Sequence, residues 1–198
     1  MARRDRTPGG RGRGERTRDA LRAAAYRLFL EDGYDRTPVA RIAAEAGVSH
    51  MTFFRHFPTK EDVVLRDDYD PLLERLVRER PGEEPPVARV RAALARALPE
   101  VYARERENLL LRARLILDTP ALRRRMGDSM RGSQEAFERG LAPGRTDPPL
   151  AVRAVAAACT AALAEAVTAW ARDGGAAHLP DLADEALAAL QDPPGEPA

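Results

Sequence analysis

The chain has 198 residues, of which 44% are hydrophobic and 5% aromatic, so a sizeable core is available and global disorder is excluded. No uncharged apolar run reaches about 18 residues, and we therefore predict no transmembrane helix and no membrane partner. The first residues carry arginines without the apolar segment of a secretory signal. The single cysteine, Cys159, excludes an internal disulfide and favours a location in the reducing cytoplasm.

The net charge of +1 hides an uneven distribution along the chain. Residues 1–60 carry 13 basic and 7 acidic side chains, whereas residues 61–198 have an acidic excess of 5. This distribution indicates that the first third of the chain meets a polyanion such as nucleic acid. A basic tail in a genome that prefers arginine codons gives the same charges, and this alternative stays open at this point.

The chain begins with a segment rich in glycine and arginine, residues 1–14, which predicts a disordered basic arm. Such an arm either reaches DNA or remains solvated. From Glu15 to about Asp32, leucine, alanine and phenylalanine recur on one face, which predicts the first helix. Gly33 follows and is expected to end it.

Residues 37–60 predict two short helices joined by a tight turn. Thr37 is expected to cap the first helix, with Pro38 at its first position. Gly47 is expected to end that helix in a left-handed conformation, and Ser49 to cap the second one. Two helices joined by a short turn with a glycine fit a helix-turn-helix, whose second helix lies in the DNA major groove.

The rest of the chain predicts six more helices and no strand, so the fold class is all-α with about nine helices. Small side chains dominate residues 151–169 and would let a second helix approach closely. The predicted helices cover residues 60–80, restarted near Asp70 and Pro71, then residues 87–105 with a bend at Pro99, 108–117, 120–140, 150–172 and 180–190.

The helix-turn-helix segment resembles the DNA-binding domain of TetR/AcrR-type repressors. The subgroup of that family with acyl-CoA-like ligands is similar in the run from Arg112 to Arg123, and the subgroup's mycofactocin-system regulators are similar in the residues from Thr52 to Asp62. The residues that carry the first resemblance are Thr37-Pro38, Ile42-Ala43, Ala46-Gly47-Val48-Ser49 and the run Thr52-Phe53-Phe54-Arg55-His56-Phe57-Pro58-Thr59-Lys60-Glu61-Asp62.

The resemblance implies an all-α homodimer with two functional parts. Residues 15–60 would bind double-stranded operator DNA, and residues 61–191 would form a ligand-binding and dimerisation domain before a disordered tail, residues 192–198. The dimer contacts are expected from the helices near residues 150–172 and 180–190.

The function that the resemblance implies is that of a transcriptional repressor. It would bind a palindromic operator and be released by a small hydrophobic, acyl-CoA-like effector, which tilts the helix at residues 60–80. A ligand-independent or activating DNA-binding regulator is the alternative. An enzyme is not expected, because no nucleophile–base–acid set, phosphate loop or paired carboxylates appear, and no cofactor is predicted.

Nine residues are candidates for DNA contact. Those at helix starts can meet a phosphate, and those that open the second helix can meet base edges, with Met51 against a thymine methyl group. Phe54 lacks the phosphate-binding hydroxyl of the tyrosine that the family often has there, so more of that contact is expected from Thr37, Arg55, His56 and Lys60. The set is Thr37, Ser49, His50, Met51, Thr52, Phe54, Arg55, His56 and Lys60. Phe53 and Phe57 are expected in the core.

Ten residues of the second domain are candidates for lining a ligand pocket, with an ordinary helical core as the alternative for each. Methionine and aromatic side chains suit an adaptable pocket. Arg112 lies among leucines and would need an anion, either from the ligand or from an acid such as Glu165. The set is Tyr69, Leu98, Tyr102, Leu109, Arg112, Ile116, Met126, Met130, Phe137 and Trp170. No metal site is predicted, because His50 and His56 lie about 240° apart on a helix.

Overall fold

The computed structural model describes residues 12–66 and 68–192, without the side chain of Asp128. The chain divides into two compact units, residues 1–64 and 65–198. Over the described residues it forms nine helices and no strand, which confirms the all-α prediction. The helices are α1 (Arg13–Asp32), α2 (Val39–Glu45), α3 (His50–His56), α4 (Asp62–Leu65), α5 (Asp70–Arg78), α6 (Pro86–Asp118), α7 (Pro120–Leu141), α8 (Leu150–Arg172) and α9 (Leu179–Ala188).

The first unit is a small bundle of α1, α2 and α3. Helix α1 begins two residues earlier than predicted, because the Glu15 carboxylate accepts the backbone N–H of Gly12 at 2.9 Å and so caps the first turn. Most of the predicted arm lies outside the described residues, as does most of the predicted tail. The bundle core consists of apolar side chains that are almost completely buried, among them Leu21, Phe29, Ile42, Phe53 and Phe57.

The start of α4 is a reciprocal cap, as the sequence indicates. The Thr59 N–H donates to the Asp62 carboxylate at 2.8 Å, and the Asp62 N–H donates to the Thr59 hydroxyl at 3.3 Å. Helix α4 has only four residues, and α5 restarts at Asp70 with a proline in its first turn, which confirms the predicted restart.

Helix α6 confirms one prediction about the second unit and corrects another. The two helices expected at residues 87–105 and 108–117 follow each other within α6 and meet at a kink at Glu105, where φ is −132° and ψ is 17°, so the predicted break between them is confirmed. The expected bend at Pro99 is wrong, since the dihedrals that leave the helical region are those of Glu105. Beside the kink, Arg106 donates to the Gly175 carbonyl at 2.7 Å, which ties α6 to the turn after α8.

The core of the second unit lies between α5, α6, α7, α8 and α9. Fully buried Val77, Val90, Phe137 and Leu187 belong to one apolar cluster there. Helices α5 and α7 approach closely at Gly140, where a Cβ atom would lie 2.8 Å from the Val77 Cβ. Glycine is therefore required at this crossing.

Helix α8 is long and apolar enough to span a membrane by length and composition, with a mean hydropathy of 1.7 over its most apolar 18 residues. Only 22% of that window is buried. A helix of a soluble protein passes the same test, and Arg153 and Glu165 interrupt its apolar side chains. The helix thus presents an apolar surface that the protomer itself does not cover.

Candidate nucleic-acid interface and ligand cavity

The turn before α3 has the geometry that the sequence predicts. Gly47 takes a φ of +67°, which a side chain would disfavour. The Ser49 hydroxyl accepts the Thr52 N–H at 3.1 Å and lies 3.0 Å from the Thr52 hydroxyl, so the predicted cap is confirmed. Phe53 and Phe57 are fully buried and hold α3 on the bundle, as expected.

Helix α3 leaves four side chains open to solvent, and two of them are apolar. His50, Met51, Phe54 and Arg55 are exposed, with Met51 at 77% and Phe54 at 38% of their full area. The Phe54 ring lies edge-on to the rings of His50 and Phe53, at centroid distances of 4.8 and 5.3 Å. This face can offer an apolar surface together with one guanidinium group.

The Thr37 side chain does not have the predicted role. Pro38 is the cap residue of α2, and Thr37 is completely buried. Its hydroxyl donates to the carbonyls of Gly33 at 2.9 Å and Leu28 at 3.3 Å. The prediction of an N-cap is therefore wrong, and the hydroxyl has no access to a phosphate. These two bonds tie Thr37 to the last turns of α1 and to the residue that follows it.

Lys60 has an internal partner for its charge. The ammonium group donates to the Tyr34 carbonyl at 2.6 Å and lies 4.1 Å from the centre of the Tyr34 ring. Desolvation by burial lowers the pKa of Lys60, although the charges of Asp35 and Glu61 oppose that shift. The residue is half-buried, so the structure places it against the turn after α1.

His56 lies in the last turn of α3 and is half-buried. A Cβ atom at Gly14 would lie 3.9 Å from its Cε1 atom, which places His56 beside the start of α1. Among the described residues, no group of three His, Cys, Asp or Glu side chains could hold a metal ion.

The second unit contains a cavity of about 210 Å³, lined mainly by apolar side chains from α5, α6, α7 and α8. Residues on both sides of the α6 kink contribute, for example Leu98 before it and Ile116 after it. Eight of the ten predicted pocket residues line the cavity, and their contact with a ligand stays a prediction. They are Tyr69, Leu98, Leu109, Arg112, Ile116, Met126, Met130 and Trp170.

Tyr102 and Phe137 do not line the cavity, which corrects their placement. Phe137 is fully buried in the apolar cluster between the helices. Tyr102 lies 5.8 Å from the Trp170 ring and 5.0 Å from the His178 ring, and its hydroxyl accepts from Arg106 at 3.0 Å. Contacts with the turn after α8 therefore orient Tyr102.

One wall of the cavity is polar. The Arg112 guanidinium donates to the Leu65 carbonyl at 3.1 Å, and the Ser129 hydroxyl donates to the same oxygen at 2.6 Å. The Ser133 hydroxyl bonds the Asp70 carboxylate at 3.0 Å. Glu165, considered as a partner of Arg112, is exposed.

Sequence reasoning missed the two serines of this wall. They follow Met126 and Met130 on the same face of α7, at intervals of three residues, and line the same cavity. The helical spacing from the methionines was the signal that could have identified Ser129 and Ser133.

Two family profiles match the chain. The profile described as "Bacterial regulatory proteins, tetR family" matches residues 21–66, and the one described as "MftR C-terminal domain" matches residues 84–194. The second match alone covers more than half of the chain.

Individual proteins agree with these profiles. The transcriptional regulator TcmR of Streptomyces glaucescens is 34% identical over 140 residues, which are 65% of this chain and 61% of TcmR. The alignment with the YdeS regulator of Bacillus subtilis spans 34% of that protein at 37% identity. The chain thus matches less than two thirds of the length of these relatives, which are regulators and not enzymes.

Two solved structures share the fold. The FadR repressor of Thermus thermophilus, in complex with lauroyl-CoA, has 25% identity and a TM-score of 0.53 over 91% of this chain and 97% of its own. FadR of Bacillus subtilis with stearoyl-CoA has 19% identity and a TM-score of 0.60 over 89% and 99%. With the profiles that match both units, these findings identify the chain as a member of the TetR family of bacterial regulatory proteins.

Proposed function

We propose that the chain is a ligand-responsive repressor, which binds a palindromic operator as a homodimer and is released by a small hydrophobic effector. The observation that carries this proposal is the apolar cavity in the second unit of a DNA-binding regulator. A cavity that is mostly apolar and has a few convergent polar groups is typical of small-molecule sites. The regulator would act in the cytoplasm, where its DNA lies.

The exposed face of α3 would enter the major groove. His50, Met51, Phe54 and Arg55 are the predicted contact residues that are open to solvent there. Ser49 and Thr52 would contribute mainly through the cap that they form. Arg55 and His56, at the end of the helix, would contact phosphate groups.

The dimer would form through α8 and α9. The uncovered side of α8 carries small side chains at Ala154, Ala157, Ala161 and Ala169, with Glu165 between the last two. Small residues permit close approach of a partner helix. Two copies of α3, about 34 Å apart, would then reach successive major grooves of a palindrome.

Arg112 and Ser129 would link the cavity to DNA release. Both donate to the carbonyl of Leu65, the last residue of α4, which directly follows the DNA-binding segment in the chain. An anionic ligand group that draws Arg112 away would leave that carbonyl with Ser129 as its side-chain donor. The ligand shifts the balance only if it binds the form without DNA more tightly.

An acyl-CoA or a related amphipathic anion is the proposed effector class. The FadR structures bound to lauroyl-CoA and stearoyl-CoA share the fold and support an acyl ligand. The apolar lining would take the acyl chain, and Arg112 would take a negative charge.

The test begins with a footprint of the full-length protein on the DNA upstream of its own gene, at low salt. Lauroyl-CoA, stearoyl-CoA, free fatty acids and cationic drugs are then titrated into the complex while fluorescence anisotropy reports release. We expect the acyl-CoAs to release the DNA. A protein that leaves its upstream DNA unprotected would contradict the repressor proposal.

A pair of α6 variants provides the control. Ala97 lines the cavity and Ala95 is exposed on the same helix. The Ala97→Leu change should weaken the response to acyl-CoA by about tenfold, since the added side chain fills ligand space, while Ala95→Leu should leave it unchanged. DNA binding that no tested compound relieves in either variant or the wild type would favour the alternative, a ligand-independent regulator.

A further inference from the structure

We propose that α3 identifies A·T base pairs in its operator through the 5-methyl groups of thymine, which Met51 and Phe54 contact, and not through hydrogen bonds to adenine. The inference rests on the operator binding proposed above. It names the chemical group that the exposed face of α3 recognises.

The apolar character of this face is the first observation. Met51, at 77%, is the most exposed large hydrophobic side chain of the described residues, and Phe54 lies three positions further along the same helix. Residues three apart are neighbours on a helix surface. Side chains of this kind, exposed together on a short DNA-binding helix, form an apolar surface that the DNA would cover.

The second observation is that one of the two side chains is held in place. The Phe54 ring is edge-on to His50 on one side and to the fully buried Phe53 on the other. Met51 has an adaptable thioether chain beside it. A fixed ring and an adaptable chain together fit a small apolar group, and the thymine methyl is the apolar group that the major groove presents.

The third observation is the lack of polar readers for adenine. Asn and Gln read adenine, and Asp and Glu read the cytosine amine, but residues 49–56 contain none of the four. The hydroxyls of Ser49 and Thr52 bond each other, and Ser49 also caps the helix. His50 and Arg55 remain as the exposed polar side chains, beside the half-buried His56, and Arg55 suits guanine or phosphate. We therefore expect the exposed side chains of this helix to distinguish an A·T pair by contact with the thymine methyl group.

The test removes single methyl groups from DNA. The full-length protein first selects its preferred duplexes from a random library. Each thymidine of the best duplex is then replaced, one at a time, by deoxyuridine, which keeps every hydrogen-bonding group and lacks the methyl. At the positions that face α3, Kd should rise about fourfold for each methyl that loses its apolar cover.

Variants assign the effect to residues. Met51→Ala and Phe54→Ala should each bring the thymidine-to-deoxyuridine ratio of Kd values close to one at the position that the residue contacts. Leu30→Ala is the matched control, because Leu30 is an exposed hydrophobic side chain on α1, and its ratio should equal that of the wild type. The ratio is insensitive to a general loss of affinity, so a merely structural effect of a substitution does not imitate the result.

The outcomes separate this inference from the proposed function. If the library yields no preferred duplex, operator binding fails and the inference falls with it. If a preferred duplex binds equally well after every replacement, the inference alone is overturned. If deoxyuridine still raises Kd in both α3 variants as it does in the wild type, another group contacts the methyl. This outcome also overturns the inference.

Discussion

A buried guanidinium holds three helix ends of the second unit together. Arg89, 8% exposed on α6, donates to the carbonyls of Val77 at 3.1 Å, Gly140 at 3.2 Å and Leu141 at 3.4 Å, while its Nε atom has no hydrogen-bond partner among the residues that the structure describes. Those carbonyls lie in the last turns of α5 and α7, where a cation is favourable and backbone acceptors lack helical partners. Carbonyl dipoles thus stabilise this charge.

We expect Arg89→Met to lower the free energy of unfolding by about 2–4 kcal/mol, because the carbonyls of Gly140 and Leu141 lose their side-chain donor and that of Val77 keeps the Arg80 N–H at 3.3 Å. Urea denaturation monitored by circular dichroism measures the change. Arg96→Met is the control on the same helix, since the Arg96 side chain is largely exposed and lies 3.7 Å from Glu79. It should cost less than about 0.5 kcal/mol, and equal losses in the two variants would contradict the role of Arg89.

Lys60 gives a second prediction. Its ammonium group bonds the Tyr34 carbonyl and lies over the Tyr34 ring. We expect Lys60→Met to destabilise the protein by about 1–2 kcal/mol through the loss of both contacts. The slope of log Kd for DNA against log salt concentration should be nearly the same in this variant as in the wild type. A slope that falls by about one would show that Lys60 also neutralises a phosphate, as the sequence alone predicts.

At the scale of elements, the sequence predicts helix bounds well where the residues that begin or end the helix lie next to it in the chain. Helix α8 has the predicted bounds because Pro149 precedes it and Gly174 follows shortly after its end. The contact that Arg106 makes beside the α6 kink has no such local cause, since its acceptor is a carbonyl 69 residues further along the chain. For the same reason, the sequence predicts Tyr102 in the pocket, whereas its ring lies against those of Trp170 and His178 outside the cavity lining.

The predictions about the candidate site differ in the same way, according to whether they depend on local spacing or on contacts with distant parts of the chain. The Ser49 cap and the buried Phe53 follow from spacing within the motif, whereas the burial of Thr37 depends on carbonyls of α1 that a local pattern does not contain. Part of the cavity lining follows from the sequence, because the apolar faces of amphipathic helices converge. Which polar groups meet at the Leu65 carbonyl depends on the packing of α7 against the chain after α4, which the sequence pattern does not specify.

Cys159 on α8 makes the stability depend on alkaline pH. Burial raises the pKa of this thiol from 9.0 to about 11. Because the pKa of the thiol is higher in the folded state, its burial contributes stability that is complete below pH 9. This contribution is lost as the pH rises towards 11. Two pH units correspond to about 2.7 kcal/mol. We expect urea denaturation midpoints to fall over this range, and to fall less in Cys159→Ala, whose difference from the wild type isolates the thiol.

For the whole molecule, the uncovered side of α8 predicts that stability depends on protein concentration. A dimer that covers this surface should have a Tm that rises with concentration by mass action. Ala157→Glu places a charge on the uncovered side and should weaken the dimer by roughly 100-fold or about 2.7 kcal/mol. Analytical ultracentrifugation measures this change. Ala103→Glu, at an exposed alanine of α6, should remain dimeric, and an Ala157→Glu protein that is equally dimeric would argue against this interface.

Lys60 is the only lysine of the chain, beside 31 arginines. Reductive methylation with ¹³C-labelled formaldehyde would therefore introduce a single lysine resonance into the NMR spectrum of the whole protein. Because the ammonium group contacts Tyr34, that resonance would sense the ring current at one defined place in the DNA-binding unit. Titrations with operator DNA and with effector could then be followed separately at this position, without any substitution to introduce a label.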